Sequence, residues 1–119
     1  MHPLDPADAS TERMHYQGKT SQKAYQAHVS FDRECHMWCS WATYGPADKP
    51  RRQSTIIGLH LTPDAALDAA MKRSQAKVKK GYRIPDHLVG SSPSVSGCFD
   101  SASVRRLMDK DELVRRGEI

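Results

Sequence analysis

Cysteine, phenylalanine and long apolar runs are all scarce in this sequence of 119 residues. It has three cysteines and two phenylalanines, and hydrophobic residues make up only 38%. Three thiols cannot all pair within one chain, and the stretch MHPLDPADASTER lacks the apolar centre of a secretory signal. Reduced cysteines and a cytoplasmic location are therefore expected. No segment approaches the roughly 18 consecutive apolar residues of a membrane span, which argues against an integral membrane protein. The common catalytic signatures are missing too: there is no G-x-S-x-G, no H-E-x-x-H and no glycine-rich phosphate loop. No nucleophile stands beside a base at readable spacing, so the reading is a non-enzyme without a cofactor. A chain this short closes one small core and cannot hold a doubly wound sheet or a barrel.

What the sequence does have is an uneven charge. Lys and Arg number 18 against 14 Asp and Glu, for a net charge of +4. The excess lies wholly between residues 19 and 83, where twelve bases face five acids. A basic module between slightly acidic ends suits an anionic partner such as nucleic acid, although such charge also serves solubility.

Residues 1–22 mix Pro, Asp, Ser, Gln and Lys without apolar periodicity, which reads as a disordered lead-in. From Ala24 to Phe31 the pattern alternates, with Tyr25, Ala27, Val29 and Phe31 on one face and Gln26, His28 and Ser30 on the other. This is the two-residue repeat of a strand. Asp32-Arg33-Glu34 turns the chain into a second, aromatic strand over residues 36–44, and the pair forms a hairpin. Gly45 to Pro50 is loop, so Lys49, Arg51 and Arg52 belong to an exposed connection. Ser54–Ile57 supplies a third strand, and Gly58–Leu61 either extends it past a bulge or leads into a helix.

Thr62-Pro63-Asp64 is a helix start, with a hydroxyl at the N-cap, proline at the first helical position and a carboxylate in the first turn. Leu67, Ala70, Met71, Ser74 and Val78 then form one stripe able to pack on a sheet, and Gly81 is the left-handed stop. Arg73, Lys77 and Lys80 form a row along one flank. Residues 85–100 read as a linker around GSSPSVSG, and 101–119 as a C-terminal helix with Val104, Leu107, Met108 and Val114 on its apolar side. The expected fold class is α+β: a small antiparallel sheet with one long helix packed across it, plus that second helix.

The cluster Cys35-His36-Met37-Trp38-Cys39 invites a metal reading. If those residues are extended, four steps of roughly 3.3 Å set the sulfurs about 13 Å apart, too far to share an ion. No second pair of cysteines follows, and Cys98 stands alone, so no metal is expected. Trp38, Trp41 and Tyr44 lie just ahead of Lys49, Arg51 and Arg52. Rings stack on bases or sugars while cations meet phosphates, and this order supplies both. Neighbouring strand positions face opposite ways, so at least one tryptophan is expected in the core.

Lys23-Ala24-Tyr25 opening a strand, an aromatic strand ending in Tyr44-Gly45, a basic loop, and a helix closing in Lys79-Lys80-Gly81-Tyr82 together resemble the WGR domain. This is the small module of poly(ADP-ribose) polymerases, found alone in other proteins. The resemblance covers about residues 20–84. It implies an antiparallel sheet crossed by one helix, and binding of DNA at a strand end, where the motif tryptophan packs on a sugar and nearby bases meet phosphates. Tyr44 falls at the motif tryptophan and Gly45 at its glycine, while Pro46 replaces the arginine. Tyrosine still stacks, but proline removes the guanidinium and its own N–H. The implied nucleic-acid contacts are Tyr44, Lys49, Arg51 and Arg52, with Arg73 and Lys77 adding weaker attraction. No ADP-ribosyl transferase domain accompanies them. The alternative is an adaptor that binds another protein through the same sheet edge or through the C-terminal helix.

Overall fold

Alternation of apolar and polar residues builds an antiparallel sheet whose two longest strands form its centre. In the computed structural model, which describes residues 7–11, 13–17, 22–46, 53–82 and 99–118, these are β3 (Gln22–Asp32) and β4 (Met37–Pro46). They pair over their full length, with Tyr25 opposite Tyr44 and Phe31 opposite Trp38. The second strand begins one residue later than its aromatic pattern suggests because His36 takes a left-handed conformation (φ 56°) that closes the turn. β5 (Gln53–His60) pairs, among the described residues, with β4 alone. Its register slips between Ser40 and Trp41, so Gly58–His60 extends the third strand past a bulge.

The opposite border is built from residues expected to be a disordered lead-in, and here the structure corrects the sequence reading. β1 (Ala9–Ser10) and β2 (Met14–Gln17) both pair antiparallel with β3, one after the other. Thr11 bridges the break between them. Its N–H donates to the Ala27 carbonyl (2.9 Å), and its hydroxyl accepts from the Ala27 N–H (3.0 Å). A side chain thus stands in for a missing rung of the ladder. The folded unit therefore starts well before residue 20, where the resemblance begins.

Pairing puts Tyr25, Ala27, Val29, Phe31, Trp38 and Ala42 on one sheet face, where they join Ala66, Leu67 and Ala70 of α1 (Pro63–Lys80) in the core. The helix starts as its sequence requires: the Thr62 side chain accepts from the Ala65 N–H, and Pro63 is the first helical residue. It ends at Gly81 with φ 116°, where the Gly81 and Tyr82 N–H groups bond back to Val78 and Lys77.

α2 (Ser101–Arg115) is also helical as expected, and Asp100 is its cap, accepting from the Ser103 N–H (2.7 Å). The helix packs against β1 and α1, with Leu107 fully buried and Phe99 beside it in the core. Most of the linker assigned to 85–100 lies outside the described residues. Asp8 ties this helix to the sheet: one carboxylate oxygen accepts from Lys110 Nζ (2.7 Å) and the other from the Phe31 N–H (2.8 Å).

Both tryptophans are buried, on opposite faces. Trp38 lies in the helix-covered core, and Trp41 stacks on His28 with ring centroids 4.2 Å apart. His28 bridges two hydroxyls, Ser10 Oγ at Nδ1 (2.6 Å) and Thr43 Oγ1 at Nε2 (3.0 Å), while Trp41 Nε1–H donates to Ser30 Oγ (3.0 Å). Burial without a counter-charge pushes the His28 pKa down to about 4, so the ring is neutral at pH 7. A neutral imidazole both donates and accepts, which suits a bridge between two hydroxyls.

Candidate functional site

The side chains expected to meet an anion converge where the end of α1 crosses the start of β3. Tyr25 on β3 and Tyr44 on β4 are cross-strand partners, so their rings share the face toward the helix. The helical row expected along α1 brings Arg73 and Lys77 over the same spot. Together they line a cleft of about 490 Å³ that Pro46, Thr55, Ile56 and Ile57 also border. Tyr44 is 38% exposed, so its ring is available to a ligand. Gly45 beside it has φ 148°, a backbone conformation that side chains disfavour. The sequence reading placed Tyr44, Arg73 and Lys77 in one site, and the fold assembles them. Lys49, Arg51 and Arg52, assigned to the same site, lie outside the described residues.

Lys23, Tyr82 and Tyr16 were not among the contact residues expected from sequence. Lys23 enters because Gln22 and Lys23 open β3 on the border of the cleft. Tyr82, one residue beyond the helical stop, packs its ring against Tyr25 (centroids 6.3 Å) and Tyr16 (5.4 Å). Tyr16, from β2, borders a second cleft of about 380 Å³ lined with Lys23, Lys77, Lys80 and Tyr82. The two clefts thus share Lys23, Lys77 and Tyr82, and Lys77 is the ridge between them. The clue available in sequence was Gly81-Tyr82 itself: a tyrosine straight after a helical stop returns to the sheet.

Lys77 shows what the site favours. Its ammonium sits 5.1 Å from the Tyr25 ring centroid and 5.7 Å from that of Tyr82, within cation–π range of both. Partial burial pushes its pKa below the usual lysine value, and the cations Lys80, Arg73 and Lys23 push the same way. Among the described residues, none of these four bases has a carboxylate within 4.0 Å; the ion pairs found there join Lys72 to Asp68, Lys110 to Asp8, Arg115 to Asp111 and Arg116 to Glu112. Like charges gathered over an apolar, aromatic floor without counter-ions repel one another until an anion joins them. Burial raises the Tyr25 pKa, and nearby Arg73 opposes that shift without cancelling it.

Other reactive groups lie elsewhere. Cys35 is exposed in the turn after β3 instead of lying in a strand, and Cys39 is buried, its thiol pushed up to about 11 chiefly by burial. Among the described residues no three His, Cys, Asp or Glu side chains cluster as a metal site would require. Nor is any helix there long and apolar enough to cross a membrane. The His28 bridge borders neither cleft. In comparisons with known proteins, no family model matches this sequence, and no curated protein or solved structure matches it either.

Proposed function

We propose that the chain is a WGR-like, non-catalytic module that binds nucleic acid, DNA in the first instance, by its sugar-phosphate backbone. The observation that carries this reading is the grouping of Lys23, Arg73, Lys77 and Lys80 near half-exposed Tyr44, with no carboxylate partner among the described residues. Tyr44 packs on a sugar or base, and the four cations meet phosphates. The missing motif arginine, replaced by Pro46, is offset from the helix side by Arg73 and Lys77. Recognition of this kind follows charge and shape more than sequence, because phosphates and aromatic stacking are common to every nucleotide.

The alternative, a protein-binding adaptor, would use the sheet edge or α2. The apolar side of α2 is already spent, with Leu107 buried and Val104, Met108 and Val114 packed on the core. The test is fluorescence anisotropy with labelled DNA at two salt concentrations. Four neutralised phosphates give a slope of log affinity against log salt of about −3. Replacing both Lys23 and Arg73 by Glu is expected to weaken binding at least about tenfold while the circular dichroism spectrum is unchanged. Unchanged affinity in that variant would remove the cleft from the interface.

A further inference from the structure

Resting on the nucleic-acid reading above, we propose that the two adjoining clefts hold an unpaired strand, with Tyr44 and Tyr16 each taking one base, and not the flank of a duplex. The argument begins with the sheet register. Tyr44 pairs with Tyr25 and Tyr16 pairs with Lys23, so all four side chains share the face beneath the end of α1. The two tyrosines stand on β4 and β2, with β3 between them. Two strand spacings of about 4.8 Å across, and a two-residue offset of about 6.6 Å along, separate them by about 12 Å. Neighbouring bases in a duplex strand are spaced by about 3.4 Å along the axis, so they cannot occupy both rings at once. A strand drawn out of its stack can.

The chemistry between the two rings agrees with the spacing. Lys23 and Lys77 border both clefts, which puts two cations midway, where the phosphate linking two splayed nucleotides would pass. Lys77 is held there by the Tyr25 and Tyr82 rings beneath its ammonium. The floor and walls matter as well. A duplex backbone asks only for cations on an open surface, whereas this cleft is concave and adds apolar surface from Pro46 and Ile57. Apolar walls reward an inserted base and give nothing to a phosphate. The base faces of a duplex are closed to such a pocket, while an unpaired end, gap or single strand offers them.

Tyr16 is held ready by an unusual contact. A Cβ at Gly81 would sit 3.1 Å from its ring, so glycine lets the ring lie closer to the end of α1 than a side chain there would. The ring is half-buried, packed on Tyr82, and lines the second cleft with the remainder of its surface.

Anisotropy titrations of the full chain separate the possibilities, using a fluorescent oligonucleotide as single strand, as blunt duplex, and as duplex with a two-nucleotide overhang. The single strand and the overhang are expected to bind about tenfold more tightly than the blunt duplex, since base stacking on an aromatic ring contributes roughly 1–3 kcal/mol. Tyr16→Ala should remove most of that advantage and leave blunt-duplex affinity within about twofold, while Tyr16→Phe keeps it. Tyr44→Ala, at an exposed position, tests the other cleft if the Tyr16 variant folds poorly. Blunt duplex bound as tightly as single strand, or equal losses for all three ligands in both alanine variants, overturns the unpaired-strand proposal and leaves backbone binding standing. Absence of binding by every ligand, or binding indifferent to salt, overturns both.

Discussion

Gly81 and His28 show how single residues set the properties of this fold. Gly81 has a left-handed backbone and lies against Tyr16, so an alanine there meets strain and crowding together. Gly81→Ala is expected to cost about 1–2 kcal/mol in urea unfolding, and to displace the Tyr16 ring. His28 carries a different kind of cost. Its folded pKa of about 4 lies below the 6.5 of an unperturbed histidine, so between those values the unfolded chain binds the extra proton. Stability therefore rises with pH across that window and is lost as the pH falls through it, by a total on the order of 3 kcal/mol. Thermal melts from pH 7 to pH 4.5 should show a decline that is shallower in His28→Gln, which has no proton to gain. Parallel decline in the two proteins would place the acid sensitivity elsewhere.

At the scale of elements, legibility followed how far each segment's form is locally determined. The start of α1 was readable because Thr62, Pro63 and Asp64 each satisfy a local requirement, and its end because Gly81 does. β3 was readable because Ala24 to Phe31 alternate before any partner is considered, and β4 because an aromatic run follows the polar turn that ends β3. β1 and β2 were not, since strands of two and four residues carry no periodicity and exist only because β3 offers them a ladder. The site divides in the same way. Arg73 and Lys77 are one helical turn apart, and their shared flank is written in the sequence. Lys23, Tyr16 and Tyr82 meet only through strand register and the return of the chain after α1. A further element-level consequence concerns α2, which Asp8 joins to the sheet through Lys110 and the Phe31 N–H. Asp8→Ala leaves a partly buried ammonium and an amide unpaired, so a loss of roughly 1–3 kcal/mol is expected. Hydrogen exchange should report the loss as faster opening of α2 and β1, with the α1 amides least affected. Uniform acceleration throughout the protein would mean that α2 is not a separable unit.

Considered as a whole, the molecule keeps its two tasks at different places. The Asp8 latch holds α2 against β1, beside residues 28–31 of β3, while the clefts open at residues 22–25 of the same strand. The cations that would repel one another are thus gathered away from the ion pairs that close the fold. The long border of the sheet formed by β5 is less protected. Among the described residues it pairs with β4 alone; it carries no charged residue or proline from Gln53 to His60, and leaves Ile56 and Leu59 about half exposed, with Leu61 more so. Folded proteins ordinarily guard such a margin with lysine, proline or a covering loop. In concentrated solution the protein should therefore cloud by edge-to-edge joining at temperatures where its circular dichroism is still native. Light scattering of Leu59→Lys, expected to stay clear under the same conditions, ties that colloidal fate to one unguarded strand.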